Sequence, residues 1–347
     1  MNPVKILDVT LRDGGYRNNF GFTQDFAVSA VRALSEAGIP FIEVGYWNGP
    51  FVRKPGLGLT SRVDGAYLDT LSEAAGGRTN LCVMVHPRNV DDEDFAEIVR
   101  HDVEMIRVCL RDDQLEEGLA TISLAKKHGF MVSANITRAT ELPLSTIALI
   151  ATLSERAGAD LICIADSNGS MIPADVQRIF ARLTSTVGTP LGFHAHNNLS
   201  LALSNAAAAI DAGVEYIDVA ISGMGKGAGN LHLAMLIAYL ERVGRRHDYD
   251  LVKAMQLSAY AAEAVAQNSA PVPLVDIMLG AYNFSFDIRQ KLSAQAGTEQ
   301  ALFSAMHALH ESERKRPRPP ARTGSPEGHA FMPSREMLAA VGHSLQS

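Results

Sequence analysis

Two kinds of stretch alternate along most of the chain. Short runs of β-branched and apolar residues are followed by longer segments whose apolar positions recur every three to four residues. The first kind predicts buried strands and the second amphipathic helices. Strands are predicted at residues 4–9, 41–45, 81–85, 105–110, 131–136, 161–165, 191–195 and 216–220. Helices are predicted at 25–37, 91–100, 115–128, 145–157, 173–183 and 200–212, and from 231 onward. Gly38, Gly129, Gly158 and Gly213 stand where helices should stop. Between Tyr46 and Val63 lies a long loop with glycine and proline, and connections of that length tend to be functional.

These runs make eight strands, each but the second followed by a predicted helix. That number closes a (β/α)8 TIM barrel, whose usual length of ~250 residues matches the stretch they occupy. An open, doubly wound sheet is the alternative, because alternation by itself does not separate the two. The count favours the barrel, and so does the absence of a Gly-x-Gly-x-x-Gly turn after the first strand, where only Gly14-Gly15 occurs. Past residue 250 the pattern changes to a C-terminal helical extension. Residues 251–270 are Ala-rich and helical in pattern, 271–277 read as a connector, and 290–313 read as a helix. Residues 314–320, Arg-Lys-Arg-Pro-Arg-Pro-Pro, open a basic, Pro-rich linker and tail. The expected division is a barrel over 1–250, a helical region over 251–313 and a tail over 314–347.

Composition narrows the classes. The 347 residues are 47% hydrophobic and carry a formal net charge of -7. No basic field exists to hold nucleic acid or an anionic membrane. No apolar run is long enough to span a bilayer, and the first residues lead straight into a strand pattern rather than a leader. A cytoplasmic location is therefore expected. Cys82, Cys109 and Cys163 lie in apolar strand runs without Cys-x-x-Cys spacing, which predicts buried, reduced thiols.

Polar residues recur where the predicted strands end, the end at which such barrels carry their chemistry. They include Arg12 and Asp13, Glu43 and Tyr46, His86, Arg111, Arg138, Ser167, and His194 and His196. Residues i and i+2 of a strand share a face, so His194 and His196 can offer two imidazoles to one point. A bare His-x-His also fits surface or core histidines. Asp13 is the best carboxylate to join them, because the first and seventh strands of a closed barrel lie two places apart. Arg12 suits a substrate carboxylate or a developing oxyanion, or else a surface ion pair. The Gly223–Asn230 loop permits close backbone approach to a ligand; without Walker spacing, its Lys226 does not point to ATP.

Three motifs carry a resemblance. Thr10-Leu11-Arg12-Asp13-Gly14, His194-Ala195-His196-Asn197 and Gly223-Met224-Gly225-x-Gly227-Ala228-Gly229-Asn230 resemble the metal-dependent lyase and Claisen-condensing barrels, the superfamily of 3-hydroxy-3-methylglutaryl-CoA lyase. With Ile162-Cys163-Ile164-Ala165-Asp166-Ser167 they lean to its 4-hydroxy-2-oxovalerate aldolase branch. The resemblance implies a divalent metal on Asp13, His194 and His196, with Mn2+ first and Mg2+, Co2+ or Zn2+ as alternatives. It implies Arg12 as the enolate stabiliser and Ser167, Asn230 and Tyr282 near the substrate. Its implied activity is cleavage or formation of a 4-hydroxy-2-oxo acid from pyruvate and an aldehyde. Claisen condensation, a non-catalytic scaffold and a non-haem iron oxygenase are the competing readings. The implied partners are a small 2-oxo acid, a second copy of the chain in a homo-oligomer, and an aldehyde dehydrogenase. One departure stands out: the branch has a histidine two residues after Arg-Asp-Gly, where this chain has Tyr16. Tyr16 and Glu43 are the catalytic candidates beside Arg12, and Asn18, Asn19, Tyr46, His86 and Lys226 are further residues that could fill the gap.

Overall fold

The computed structural model describes residues 3–51, 55–265 and 274–315. Eight parallel strands close in sequence order into a barrel. They are β1 (Lys5–Asp8), β2 (Phe41–Tyr46), β3 (Asn80–Val85), β4 (Val103–Leu110), β5 (Met131–Ile136), β6 (Leu161–Asp166), β7 (Leu191–Ala195) and β8 (Tyr216–Val219). Hydrogen bonding between β8 and β1 completes the ring. Strands β2, β6 and β7 are buried along their whole length. That burial explains their unbroken apolar runs: one face fills the barrel and the other lies under helices.

The outer helices are α1 (Gln24–Glu36), α2 (Gly65–Ala75), α3 (Asp92–Ile98), α4 (Leu115–Lys127), α5 (Leu144–Arg156), α6 (Pro173–Thr184), α7 (Ala202–Asp211) and α8 (Leu233–Arg242). Side-chain caps fix several starts: Thr23 accepts from the Phe26 amide and Asp91 from the Glu93 and Asp94 amides. The sequence pattern predicted no helix between Val63 and Leu81, yet α2 forms there. Asp64 caps it, and Tyr67, Leu68, Leu71, Ala74 and Ala75 are buried. Its helical spacing is present in the sequence but lies between a long loop and the turn at Gly76-Gly77.

Beyond the barrel come α9 (Leu251–Ala264), α10 (Leu274–Tyr282), α11 (Phe286–Ala296) and α12 (Glu299–Lys315). The helix expected over 251–270 is described only to Ala264, and residues 266–273 lie outside the described residues. The connector expected over 271–277 gives way to α10 from Leu274, in which Val275 and Leu279, four residues apart, are both buried. The single helix expected over 290–313 is two, divided at Gly297. By internal contacts the chain falls into two units, 1–286 and 287–347. The basic Pro-rich segment lies outside the described residues from Arg316 on. No helix among the described residues is long and apolar enough to cross a membrane.

Helix α9 packs on α1 and α8, with Phe26 and Tyr260 stacked at 5.8 Å. A buried carboxylate ties β1 to β8. Asp8 accepts from the Thr10 amide and hydroxyl, both at 2.9 Å, while Thr10 Oγ1 accepts from the Ile221 amide at 2.8 Å. Burial pushes the Asp8 carboxyl from 3.8 up to about 7. A carboxyl raised on folding contributes stability that is complete below its unfolded value and lost as the pH rises through its folded value. Asp8→Asn keeps the shape of the neutral acid. Its melting temperature should therefore gain on that of the parent between pH 4 and 8, and a gap independent of pH would contradict the assignment.

Candidate active site

Asp13 lies in the turn that follows β1, His194 is on β7, and His196 is just beyond the end of β7. Their ligating atoms all lie within 4.8 Å of one another, and all three residues are buried. His194 Nε2 is 3.3 Å from His196 Nε2 and 3.9 Å from Asp13 Oδ2. The glycine loop after β8 secures this arrangement. The Asn197 amide donates to the Gly229 carbonyl at 2.8 Å, and Asn230 Nδ2 donates to Asp13 Oδ2 at 2.8 Å. Gly229 has φ +95°, and a Cβ there would overlap the Gly223 carbonyl oxygen, so only glycine fits this turn.

The donor set suits a divalent cation. His194 Nδ1 donates to Asp218 Oδ2 on β8 at 2.9 Å. That bond selects the tautomer whose Nε2 lone pair faces the cluster, the usual support of a metal-binding histidine. Two imidazole nitrogens only 3.3 Å apart need a shared proton or cation between them. His196 Nδ1 and Asn230 Oδ1 are buried without hydrogen-bond partners among the described residues. Two nitrogens and one carboxylate leave coordination positions for substrate and water.

A chain of buried charges runs through the barrel interior behind the cluster. Arg12 Nη1 pairs with Asp13 at 2.6 Å and Arg12 Nε with Glu43 at 2.6 Å. Glu43 lies 3.3 Å from Arg107 Nη1, and Arg107 Nη2 donates to Asp218 at 2.7 Å. Asp218 returns the chain to His194. Burial opposes the charge on Asp13, but Arg12, His196, His194 and Asn230 outweigh it and hold the carboxyl well below its usual range. Burial likewise opposes the charge of Asp218, which Arg107 and His194 still hold down.

The cluster opens into a cavity of about 170 Å³ whose lining includes Arg12, Tyr16, Tyr46, His86, Ser167 and Lys226. Tyr16 and Tyr46 hydroxyls are 3.1 Å apart. Burial pushes the Tyr16 hydroxyl up to about 12, although part of the ring is exposed. His86 stacks on Tyr46 with centroids at 5.6 Å. Burial, then Arg12 and Arg111, bring its pKa down to about 4. Its Nε2 is buried and has no hydrogen-bond partner among the described residues.

Several expected site residues fall elsewhere. Glu43 has no exposed surface and sits behind Arg12, where it orients the guanidinium and cannot meet substrate. Asn230 stands behind Asp13. Tyr282 ends α10 with its ring against Phe284 and is not among the residues lining the cavity. Asn18 and Asn19 brace the first loop through their carbonyls, which accept from Gly21 and Gly58. Cys82 and Cys163 are buried as expected, but Cys109 is only partly buried and lines the cavity, because its strand ends there. Sequence reasoning passed over Arg107 and Asp218. Their signal was a charge within an otherwise apolar run, Met-Ile-Arg-Val-Cys and Tyr-Ile-Asp-Val.

Comparison with known proteins converges on one group. The chain is 32% identical over 277 residues to the 4-hydroxy-2-oxovalerate aldolase of Moorella thermoacetica, covering 80% of this chain and 82% of that one. It is 31% identical over 265 residues to the enzyme of the same name from Chloroflexus aurantiacus, covering 76% and 77%. Among solved structures it resembles the N-terminal domain of a provisionally named aldolase from Bacteroides vulgatus. The TM-score is 0.74 at 28% identity, covering 87% of this chain and all of that one. The carboxyl transferase domain of Rhizobium etli pyruvate carboxylase, with a TM-score of 0.74 at 18% identity and coverage of 90% and 56%, shares the fold. The HMGL-like family model matches residues 3–260, the barrel together with every residue of the Asp13–His194–His196 cluster, and the chain belongs to the HMGL-like family.

Proposed function

We propose that the protein is a divalent-metal-dependent aldolase that cleaves or forms 4-hydroxy-2-oxo acids, with pyruvate and an aldehyde as the cleavage products. The observation that carries this reading is the convergence of Asp13, His194 and His196 on a cavity that also holds Arg12 and His86. The names of the relatives support it.

Asp13, His194 and His196 would hold the cation, Mn2+ in the first instance. When bound, such a cation supplies a Lewis acid that polarises the 2-oxo group. Arg12, fixed by Glu43 and Asp13, offers its guanidinium to the oxygen that gains charge as the enolate forms. Ser167 Oγ accepts from the Arg138 amide at 2.9 Å, which leaves its own proton for the substrate carboxylate.

The proton-transfer role falls to His86. Its imidazole is neutral above about pH 4 and its Nε2 has no hydrogen-bond partner among the described residues, so it can take the proton of the 4-hydroxyl. The C3–C4 bond then breaks. Its electron pair passes to C3 as the pyruvate enolate, C4 leaves as the aldehyde, and a proton returns to C3. Tyr16, at about 12, is a poor base at neutral pH and serves as a hydrogen-bond donor instead.

The test is pyruvate release from 4-hydroxy-2-oxo acids by the Mn2+-loaded protein. His86→Asn should lower kcat by about 10²–10⁴-fold and Tyr16→Phe by much less. The opposite ranking would give the base to Tyr16. Thiol release from acetyl-CoA and a 2-oxo acid, without pyruvate formation from any hydroxy acid, would move the protein to the Claisen reaction. The same reading extends to a dehydrogenase that consumes the aldehyde and to a homo-oligomer. Co-purification and light scattering test these.

A further inference from the structure

The wall of the cavity opposite the cation-binding cluster carries cations of its own. Arg111 follows β4 and Arg138 follows β5, and both line the cavity. Since the strands close in sequence order, β4 and β5 stand across the barrel from β8 and β1. Asp13 is on the β1 side.

A row of rings joins the two sides. The Arg12 guanidinium lies 5.7 Å from the Tyr46 ring centroid. Tyr46 stacks on His86 at 5.6 Å, and His86 meets the Phe51 ring at 5.8 Å. The Arg111 guanidinium then lies 4.6 Å over Phe51. This row has a guanidinium at each end and an imidazole in the middle. Both guanidinium groups act on His86.

Arg111 displays what it accepts. Its Nε and Nη2 each donate at 2.9 Å to one of the two oxygens of Asp113. That fork suits a planar carboxylate or a phosphate. The Asp113 side chain is 53% exposed, so this pair is weakly held. Arg138 lies near enough to act electrostatically on the same carboxylate. The chain as a whole is at -7, so the cationic wall is a local feature.

We propose that Arg111, with Arg138 beside it, forms a binding site for a second anionic group on the substrate, carried by the aldehyde half. The proposal rests on the aldolase reading. With the 2-oxo acid head at the cluster and Arg12, and the 4-hydroxyl at His86, the substituent on C4 runs along Phe51 towards Arg111. The substrate class is a 4-hydroxy-2-oxo acid with a carboxylate or phosphate at its far end. Cleavage then yields pyruvate and an anionic aldehyde.

The experiment has two parts. In the first, aldol addition of pyruvate is measured with succinic semialdehyde, glycolaldehyde phosphate and butanal. An anionic aldehyde should exceed butanal in kcat/KM by about tenfold or more, the worth of one charged hydrogen-bonded contact. The better of the two names the anion. Arg111→Gln should bring the anionic-to-neutral ratio close to one. A parent that prefers butanal, or a preference that survives Arg111→Gln at full size, overturns the proposal. The second part measures binding calorimetrically, with 2-oxoadipate against 2-oxohexanoate. The dianion should bind the parent at least about tenfold more tightly and lose that advantage in Arg111→Gln. Equal binding to the parent overturns the subsite. If no aldehyde reacts while the dianion still binds more tightly, the aldolase reading fails and the subsite stands.

Discussion

Replacing His196 by alanine should remove metal binding and lower turnover by at least about 10³-fold, equivalent to roughly 4 kcal/mol of transition-state stabilisation. The variant is a clean test because His196 takes little part in the surrounding network. Its Nδ1 has no partner among the described residues, while its Nε2 faces His194 Nε2 at 3.3 Å. Truncation takes away one ligand and leaves Asp13, Arg12 and Asp218 with all their other bonds. By contrast, His194→Ala would also remove a hydrogen bond from Asp218, and Asp13→Asn would remove one of the two ion pairs of Arg12. The checks are metal content after purification, pyruvate release, and a melting curve to show that the barrel persists. Full metal content, or a rate within tenfold of the parent, would refute the ligand assignment.

Arg107→Met should cost about 3–5 kcal/mol of stability, the usual penalty for leaving buried charges without a partner. Arg107 is 1% exposed and holds Asp218 at 2.7 Å, Asn135 at 2.7 Å and Glu43 at 3.3 Å. Methionine fills a similar volume, so the loss measures charge and hydrogen bonding more than packing. Two carboxylates, Glu43 and Asp218, would remain in the barrel interior with one cation fewer. For a barrel of this size each kcal/mol lowers the melting point by roughly 2–4 °C, so a fall of about 6–20 °C is expected. A melting point within about 2 °C of the parent would mean that the charge chain adds no net stability.

The two predictions concern one structure. Asp13, Arg12, Glu43, Arg107 and Asp218 form an unbroken line of ion pairs, which a hydrogen bond extends to His194. Its acidic end and its imidazole end meet in the candidate Asp13–His194–His196 cluster. Glu43 and Asp218 therefore act through Arg12 and His194. Such groups hold ligands in their working orientation, and their loss affects both folding and the reaction.

The sequence by itself determined the alternation of strands and helices, the barrel, and which residues, Asp13, His194 and His196 with Arg12, come together as the candidate cluster. Each of these depends on local periodicity or on short motifs. Burial on both faces forces unbroken apolar runs, and a turn after a strand keeps its polar residues together. What it missed also has a local explanation. Helix α2 follows a long loop, and α10 begins inside a Pro-rich stretch. The charge chain was decided by tertiary structure alone. Arg107 and Asp218 are 111 residues apart and meet only because the strands close into a ring. The same closure placed Glu43 behind Arg12 rather than in the cavity and brought Cys109, His86 and Arg111 into it. A residue's position along a strand fixes its height in the barrel. Only the curvature of the closed sheet decides which residues at that height face one another.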